Sequence, residues 1–222
     1  MIPLRDVIPS RTRPVVTVGL IVLNAAVFLY EQSLTDRQLQ RFAFGWGLVP
    51  AEFTWTSVVT SMFLHGSWGH FLGNMLYLWI FGDNIEDRLG HLRFLVFYLL
   101  CGTLAALGQV FVNMGSLVPM IGASGAISGV LGAYLVLFPH SRVLTLVPIF
   151  FVLQLIEVPA VLLLGLWFLV QLLSGVGSLG AEADIGGVAF WAHAGGFIAG
   201  AALVTVFKRP ERQRVEWWDR VR

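Results

Sequence analysis

The 222-residue sequence contains little charge. Asp, Glu, Lys and Arg make up 12% of it, whereas 57% of the residues are hydrophobic and the mean hydropathy is +0.78. A water-soluble domain of this size cannot bury so much apolar surface, so an ordinary soluble globular protein is excluded. The net charge of +1 gives no basic field for binding a nucleic acid. The composition therefore predicts an integral membrane protein surrounded by a lipid bilayer.

Cysteines, zinc-binding motifs and paired aspartates are also scarce or absent. The single cysteine, Cys101, allows no intrachain disulfide and does not indicate a redox compartment. The sequence has no HExxH motif for zinc, and Asp83 is the one aspartate in or beside an apolar segment, without the second carboxylate of an aspartyl site. These absences exclude the usual zinc and aspartyl hydrolase sites, and we expect no metal and no cofactor.

Six apolar segments are candidates for membrane-spanning helices, although several are shorter than the roughly 20 residues that cross a bilayer. In chain order they are Val15–Tyr30, His70–Ile85, Leu92–Met114, Ser124–Phe138, Pro159–Leu173 and Val188–Phe207. We interpret residues 143–158, which contain a proline and a glutamate, as an interfacial segment leading into the fifth span. The prediction is an all-α integral membrane protein with a six-helix domain over residues 15–207, between cytoplasmic tails at 1–14 and 208–222.

Arginine and lysine residues fall mainly on one side of such a bundle. They precede the first span, separate the second from the third, and follow the fourth and the sixth, whereas the opposite side holds only Arg37 and Arg41. The positive-inside rule then puts both termini in the cytoplasm. The opening residues do not fit a cleavable signal peptide, so we expect the first span to remain as an anchor in a cell (inner) membrane.

The fourth span opens with a serine between small residues, in the sequence Gly122-Ala123-Ser124-Gly125. From Ser124 to Phe138 the helix would be about 22 Å long, so Ser124 should lie below the membrane surface. The glycines leave space around the hydroxyl, and the unpaired N–H groups at a helix start suit an oxyanion. Taken alone, however, the pattern favours a small-residue face for helix packing.

Polar side chains in the other spans are costly in lipid and therefore indicate function. His193 in the sixth span is a candidate general base for a serine, although a lone intramembrane histidine is more often a satisfied hydrogen-bonding residue. His70 and Asn74 share one face of the second span, where they either line an oxyanion hole or join two helices. We interpret His65 as organising the loop before them. The sequence assigns no role to the remaining polar residues, Asn24, Gln109, Ser128 and Gln171.

Five short motifs follow one another in a specific order and spacing. They are Thr60-Ser61-Met62-Phe63-Leu64-His65-Gly66, the pair His70 and Asn74, Glu86-Asp87-Arg88-Leu89-Gly90, Gly122-Ala123-Ser124-Gly125, and Ala192-His193-Ala194-Gly195-Gly196. From about Val15 to Phe207, the chain resembles the rhomboid intramembrane serine proteases in their bacterial six-helix form. A single GxSG motif is a weak indication, whereas this ordered set on three spans is specific.

The resemblance implies a rhomboid-like bundle of six transmembrane helices and a Ser–His dyad without a third acid. Ser124 would be the nucleophile and His193 the base. The residues implied for oxyanion and substrate binding are His70, Asn74, Gly122 and Ala123. The resemblance also implies a substrate gate and cap, formed by the fifth span, with Trp167 and Phe168, and by the loop Ser174–Gly187.

The function that follows is intramembrane serine endopeptidase, cleaving transmembrane segments of other membrane proteins. One alternative is a catalytically inactive rhomboid-like protein that binds transmembrane helices. A second is a small transporter or channel, which the absence of repeated halves in the sequence disfavours. The expected partners are transmembrane protein substrates and the lipid bilayer, with no nucleic acid, and the sequence does not indicate an oligomeric state.

Two positions depart from the family pattern. Trp55 is followed by Thr56, where some members have arginine, so the sequence leaves the hydrogen bonding of the first loop undetermined. Ser128 stands four residues after Ser124, where many members have an aromatic residue that stacks on the histidine. The sequence therefore does not identify what packs against His193.

Overall fold

The computed structural model describes residues 1–149, 152–177 and 189–209. Within these residues the chain forms helices joined by short loops, together with one small sheet. The helices are α1 (Val15–Gln32), α2 (Asp36–Trp46), α3 (Trp55–Thr60), α4 (Trp68–Leu89), α5 (His91–Val112), α6 (Ser124–Leu137), α7 (Ala160–Gly177) and α8 (Phe190–Phe207). The strands are β1 (Ile2–Asp6), β2 (Arg142–Ile149) and β3 (Val152–Pro159).

Each of the six predicted spans coincides with one of these helices. Four of them, α1, α5, α7 and α8, are long and apolar enough to cross a membrane. α6 has only 14 residues, and α4 is more polar, although its 22 residues extend over about 33 Å. The prediction of a multi-pass helical membrane protein is confirmed.

Large apolar side chains cover the outside of the bundle. Trp79, Leu92, Phe111 and Val206 are 57%, 74%, 75% and 78% exposed. So many exposed apolar side chains would be unfavourable in water, and they indicate a surface in contact with lipid.

The short helix α6 packs against α4, α5 and α8. Backbone meets backbone where α6 touches α8: a Cβ atom placed on Gly200 would lie 1.9 Å from the carbonyl oxygen of Gly129, and one placed on Gly196 would lie 2.1 Å from that of Gly125. No side chain fits in this space, so these positions require glycine. The two helices run parallel, and their N-terminal ends therefore lie side by side.

The buried carboxylate of Glu86, near the end of α4, binds the start of α1. It accepts hydrogen bonds from the N–H groups of Val16 at 2.9 Å and Thr17 at 2.7 Å, and from the Thr17 hydroxyl at 2.7 Å. Nδ1 of His91 lies 2.5 Å from the same carboxylate. Because the first N–H groups of a helix have no partner within it, the carboxylate stabilises α1 and holds it against α4.

The three strands form an antiparallel sheet in the order β1–β2–β3. In β2, Leu146 pairs with Ile2 of β1 on one side and with Leu155 of β3 on the other. β3 ends at Pro159 and α7 begins at Ala160 without an intervening loop. The sheet therefore fixes the start of α7.

The sequence did not predict this sheet. Residues 1–14 were predicted as a tail and residues 143–158 as an interfacial segment, with no strand in either. In the structure, residues 2–6 form β1, and residues 142–149 and 152–159 form β2 and β3. A strand is recognised from alternating apolar and polar residues, and here apolar residues occupy both faces of the hairpin. The tail after residue 209 and most of the loop from 174 to 187 lie outside the described residues.

Asp6, at the end of β1, is held by two helices. The amide of Asn84 in α4 and the hydroxyl of Tyr134 in α6 donate to the same carboxylate oxygen, at 2.8 and 2.7 Å. Burial raises the pKa of Asp6 from 3.8 to about 6; the charge of Asp83 acts in the same direction, and the hydrogen bond from Tyr134 opposes both. The N-terminal strand is thereby joined to the bundle through an ionisable group.

Because glycines let the backbones of α6 and α8 touch, we expect one added methyl group in this interface to lower the stability of the fold. Gly200→Ala places its Cβ against the backbone of Gly129, which cannot move aside without separating the helices. We expect a lower thermal unfolding midpoint in detergent, measured by circular dichroism. Gly165→Ala in α7 is the control, because no atom lies within 4 Å of its new Cβ. Equal midpoints for the two variants would contradict the prediction.

The raised pKa of Asp6 predicts a pH-dependent stability. The folded state holds the proton more tightly than the unfolded state, so the contribution of Asp6 to stability is largest below pH 3.8 and declines as the pH rises to about 6. Asp6→Asn removes the titration. The difference in unfolding midpoint between wild type and Asp6→Asn should change over this pH range and become constant above it; a difference that does not vary with pH would disprove the assignment.

Candidate active site

Ser124 is the first residue of α6, and its hydroxyl faces the start of α8. Its Oγ lies 2.7 Å from Nε2 of His193, a residue in the first turn of α8. The backbone contact between the two helices brings these residues together across 69 positions of sequence. The predicted pairing of serine and histidine is therefore present in the structure as a direct hydrogen bond.

The other nitrogen of His193 has a partner that the sequence did not identify. Nδ1 lies 2.7 Å from Oε1 of Gln171 in α7. An amide oxygen only accepts hydrogen bonds, so Nδ1 carries the proton and Nε2 keeps a free lone pair toward Ser124. In this tautomer the unprotonated Nε2 faces the hydroxyl of Ser124. The sequence had indicated Gln171 only as a polar amide inside an apolar span.

The aromatic neighbour of His193 also comes from α7. The ring of Trp167 lies 5.9 Å from the imidazole, centroid to centroid, at an interplanar angle of 37°. Ser128 does not take this place: its hydroxyl donates to the carbonyl of Ser124, one turn earlier, at 2.6 Å. The aromatic residue missing after the serine is thus replaced from a different helix.

His70 and Asn74 of α4 reach the loop just before Ser124. A Cβ atom placed on Gly122 would lie 2.7 Å from Nε2 of His70 and 3.7 Å from Nδ2 of Asn74. Gly122 has φ +128°, a conformation that favours glycine, and the missing side chain leaves room for both polar groups. The structure brings the predicted oxyanion residues together at the start of α6.

The backbone N–H groups around the start of α6 differ in their hydrogen bonding. The N–H of Gly122 donates to the carbonyl of Ser61 at 2.8 Å, so it is not directed into the site. Ala123 is fully buried and precedes the first turn of α6. The N–H groups of Ser124 and Gly125 begin the helix and have no acceptor within it. Of the backbone donors, those of the first turn are the ones suited to an oxyanion.

Asn74 is oriented by the loop before α4. Its Nδ2 lies 3.0 Å from Nε2 of His65, whose own backbone N–H donates to the carboxylate of Glu31 at 3.1 Å. Burial, with a smaller contribution from the charge of His70, lowers the pKa of His65 to about 4. His65 is therefore neutral near pH 7 and accepts one amide hydrogen, leaving the second hydrogen of Asn74 for another acceptor. The expected organising role of His65 agrees with these contacts.

Hydrogen bonds of two threonines stabilise the first loop, the segment between α2 and α4. Thr54 accepts a hydrogen bond from the N–H of Ser57 at 3.1 Å, and the hydroxyl of Thr60 donates to the carbonyl of Trp46 at 2.6 Å. Trp55 is 67% exposed. The loop thus keeps its shape without the arginine that some family members have after this tryptophan.

The Ser124–His193 pair and the side chains that contact it or reach Gly122 open onto one cavity of about 520 Å³. Its walls include Ser124, His193, His70, Asn74, Trp167 and Gln171. A hydroxyl, an imidazole and hydrogen-bond donors therefore face a space large enough for part of a peptide chain. This arrangement is suited to acyl transfer.

The family model of the Rhomboid domain matches residues 52–210. This chain belongs to the rhomboid family. Rhomboid protein 1, mitochondrial, of Saccharomyces cerevisiae is 34% identical to it over 136 residues, covering 58% of this chain and 38% of that protein. Rhomboid protease AarA of Providencia stuartii is 28% identical over 141 residues, covering 53% of this chain and 48% of that protein.

The putative rhomboid protease YdcA of Bacillus subtilis is 34% identical over 91 residues, covering 41% of this rhomboid chain and 45% of that protein. The matched part thus spans less than half the length of each of these three relatives. The relatives from Bacillus subtilis and Providencia stuartii have the word protease in their names, and the relative from Saccharomyces cerevisiae is named as mitochondrial. The expected rhomboid-like helical membrane bundle is confirmed.

The positive φ of Gly122 predicts that Gly122→Ala disables the site. The new methyl group would strain the backbone and collide with the ring of His70. Labelling of Ser124 by a fluorophosphonate probe should slow by about 10²-fold, the size of losing one oxyanion donor. Gly115→Ala, where no atom lies within 4 Å of the new Cβ, should label at the wild-type rate. Unchanged labelling in Gly122→Ala would rule out this role.

Proposed function

We propose that this chain is an intramembrane serine endopeptidase that cleaves transmembrane segments of other membrane proteins. The observation that carries the proposal is the 2.7 Å distance between Ser124 Oγ and His193 Nε2, at the head of a helix too short to reach both membrane surfaces. Membership of the rhomboid family supports it. The competing possibility is an inactive family member that binds transmembrane helices.

Acylation uses the two hydrogen-bonded groups. Nε2 of His193 removes the proton from the Ser124 hydroxyl as Oγ bonds to a substrate carbonyl carbon. The carbonyl oxygen becomes an oxyanion, and the peptide C–N bond then breaks while Nε2–H protonates the departing amine. The products of this half-reaction are an ester on Ser124 and a free amino end of the substrate.

Deacylation repeats the proton transfers with water. His193 takes a proton from a water molecule, which attacks the ester carbonyl, and then returns the proton to Oγ as the carboxylic acid leaves. Chain residues and water handle every proton and electron pair in this cycle, so it requires no cofactor. Water must reach the cavity that contains Ser124.

The oxyanion would be bound at the start of α6. The donors are the side chains of His70 and Asn74 and the N–H groups of the first helical turn, while Gly122 provides the space between them. Each such donor typically contributes about 10²–10³ in rate. The hydrogen bond from Asn74 to His65 fixes the direction of the amide before the substrate arrives.

The substrate class follows from the position of the nucleophile. A transmembrane helix shields its carbonyl groups with its own hydrogen bonds, so it must unwind locally before Ser124 can attack one. Helix-destabilising segments near the membrane face at the start of α6 are therefore the expected cleavage sites. α7, which contributes Trp167 and Gln171 to the cavity wall, is the helix that would move to admit them.

The proposed location is a cell (inner) membrane, with both termini in the cytoplasm. Arg5, Arg142 and Lys208 lie at the end of the bundle opposite Ser124, as the positive-inside rule requires for that orientation. The first turn of α6 then faces the outer leaflet. Cysteine labelling from either side of sealed vesicles, at Arg5→Cys and Met114→Cys, tests this arrangement.

Replacing either member of the dyad should abolish catalysis. In liposomes that contain a fluorescent transmembrane substrate, Ser124→Ala should neither cleave it nor react with the fluorophosphonate probe. His193→Ala should lose at least about 10³-fold in kcat, since both half-reactions use the imidazole.

Two variants serve as matched controls. Ser128→Ala removes a serine whose hydroxyl is bound to the backbone of its own helix, and His140→Ala removes an exposed histidine. Both should retain cleavage within a few-fold of wild type. Full activity in Ser124→Ala or His193→Ala would disprove the dyad. A wild-type chain that binds the substrate but neither cleaves nor labels would favour the inactive alternative.

A further inference from the structure

Gln171 of α7 makes a polar contact with the proposed dyad. Its Oε1 is 2.7 Å from Nδ1 of His193, and its helical neighbours Trp167 and Phe168 pack against the same helix. The ring of Phe168 stacks on Phe197 at 4.6 Å. One face of α7 thus presents an amide and two aromatic rings to α8.

We propose that Gln171 is a positioning residue for His193, which makes the working unit a Ser–His–Gln triad whose third member is neutral. The inference rests on the proposed function, because it assigns a partner to the proposed base. The amide oxygen accepts the Nδ1 proton, fixes the plane of the ring and directs Nε2 at Ser124. Gln171 itself takes no part in bond making or proton transfer.

A neutral amide is physically suited to this site. In a Ser–His–Asp triad the carboxylate both orients the histidine and stabilises its cation. A carboxylate on α7 would have to be buried in an apolar helix, at a large desolvation cost. An amide provides the orienting oxygen without that cost.

Because Gln171 lies on α7, a movement of α7 would also change the orientation of His193. α7 has the smallest buried share of the four apolar spans, 22%, and its start is fixed by the sheet. An outward movement of its far end would open the cavity and break the bond to His193 together. The base would then be oriented only when α7 is packed against α8, so a substrate helix would enter first and be cut after α7 returns.

Substitutions at Gln171 separate orientation from packing. Gln171→Met keeps the length of the side chain but has no strong acceptor, whereas Gln171→Glu retains an acceptor oxygen. We expect kcat for a transmembrane substrate, and the rate of fluorophosphonate labelling, to fall about 10- to 100-fold in Gln171→Met, with KM within about twofold of wild type. Gln171→Glu should keep most of the wild-type rate, because an apolar helix favours the uncharged carboxylic acid, whose carbonyl oxygen still accepts the Nδ1 proton.

Two further variants make the result interpretable. Gln171→Leu repeats the loss of the acceptor with a second apolar side chain, and Leu162→Met introduces methionine at a lipid-facing position of α7 that is 62% exposed. Leu162→Met should behave as wild type. The thermal unfolding midpoint of every variant is measured in detergent, and a loss of rate that comes with a lowered midpoint indicates a merely structural role.

The possible outcomes distinguish this inference from the function on which it rests. Loss of kcat in Gln171→Met and Gln171→Leu, with recovery in Gln171→Glu, supports it. Wild-type kcat in both apolar variants would overturn it while leaving the dyad intact, provided that Ser124→Ala is inactive. A rise in KM at constant kcat would instead assign the amide to substrate binding and would also overturn it. An active Ser124→Ala would remove the proposed function itself.

Discussion

The close approach of α6 and α8 determines the rest of the site. Two pairs of glycines, Gly125 with Gly196 and Gly129 with Gly200, bring the backbones into contact, so the parallel helices begin at the same depth. Without a strong hydrophobic driving force between helices in lipid, such contact depends on close van der Waals packing. It converts two residues that are distant in sequence into a hydrogen-bonded pair. A methyl group in this interface would act on the site without touching it.

Three polar side chains inside the bundle have hydrogen-bond partners on other elements. Glu86 of α4 binds the start of α1, Asn74 of α4 binds His65 in the first loop, and Gln171 of α7 binds His193 of α8. A polar group without a partner is expensive in an apolar medium, so each of these bonds also holds two elements in register. The interactions that stabilise the bundle and those that orient the proposed catalytic groups are therefore of the same kind.

The six spans were predictable because a helix in lipid needs an uninterrupted apolar segment, and composition alone reveals it. The small sheet was not, since β1 begins at residue 2 in what looked like a tail and pairs with a hairpin more than a hundred residues later. Strand pairing between distant segments leaves no local pattern when both faces are apolar. That sheet matters because it fixes the start of α7, which forms a wall of the cavity.

The sequence by itself indicated the membrane environment, the approximate spans and a set of polar residues inside them, because polar groups in apolar segments stand out by their cost. The resemblance to the rhomboid family then selected Ser124, His193, His70 and Asn74 as candidate site residues. Only the tertiary structure decided what surrounds them. Trp167 packs on the imidazole, Gln171 holds its second nitrogen, and the N–H of Gly122 is already bound to Ser61. These contacts join residues on separate elements, and no spacing along one chain encodes the distance between two atoms that meet only after the helices pack.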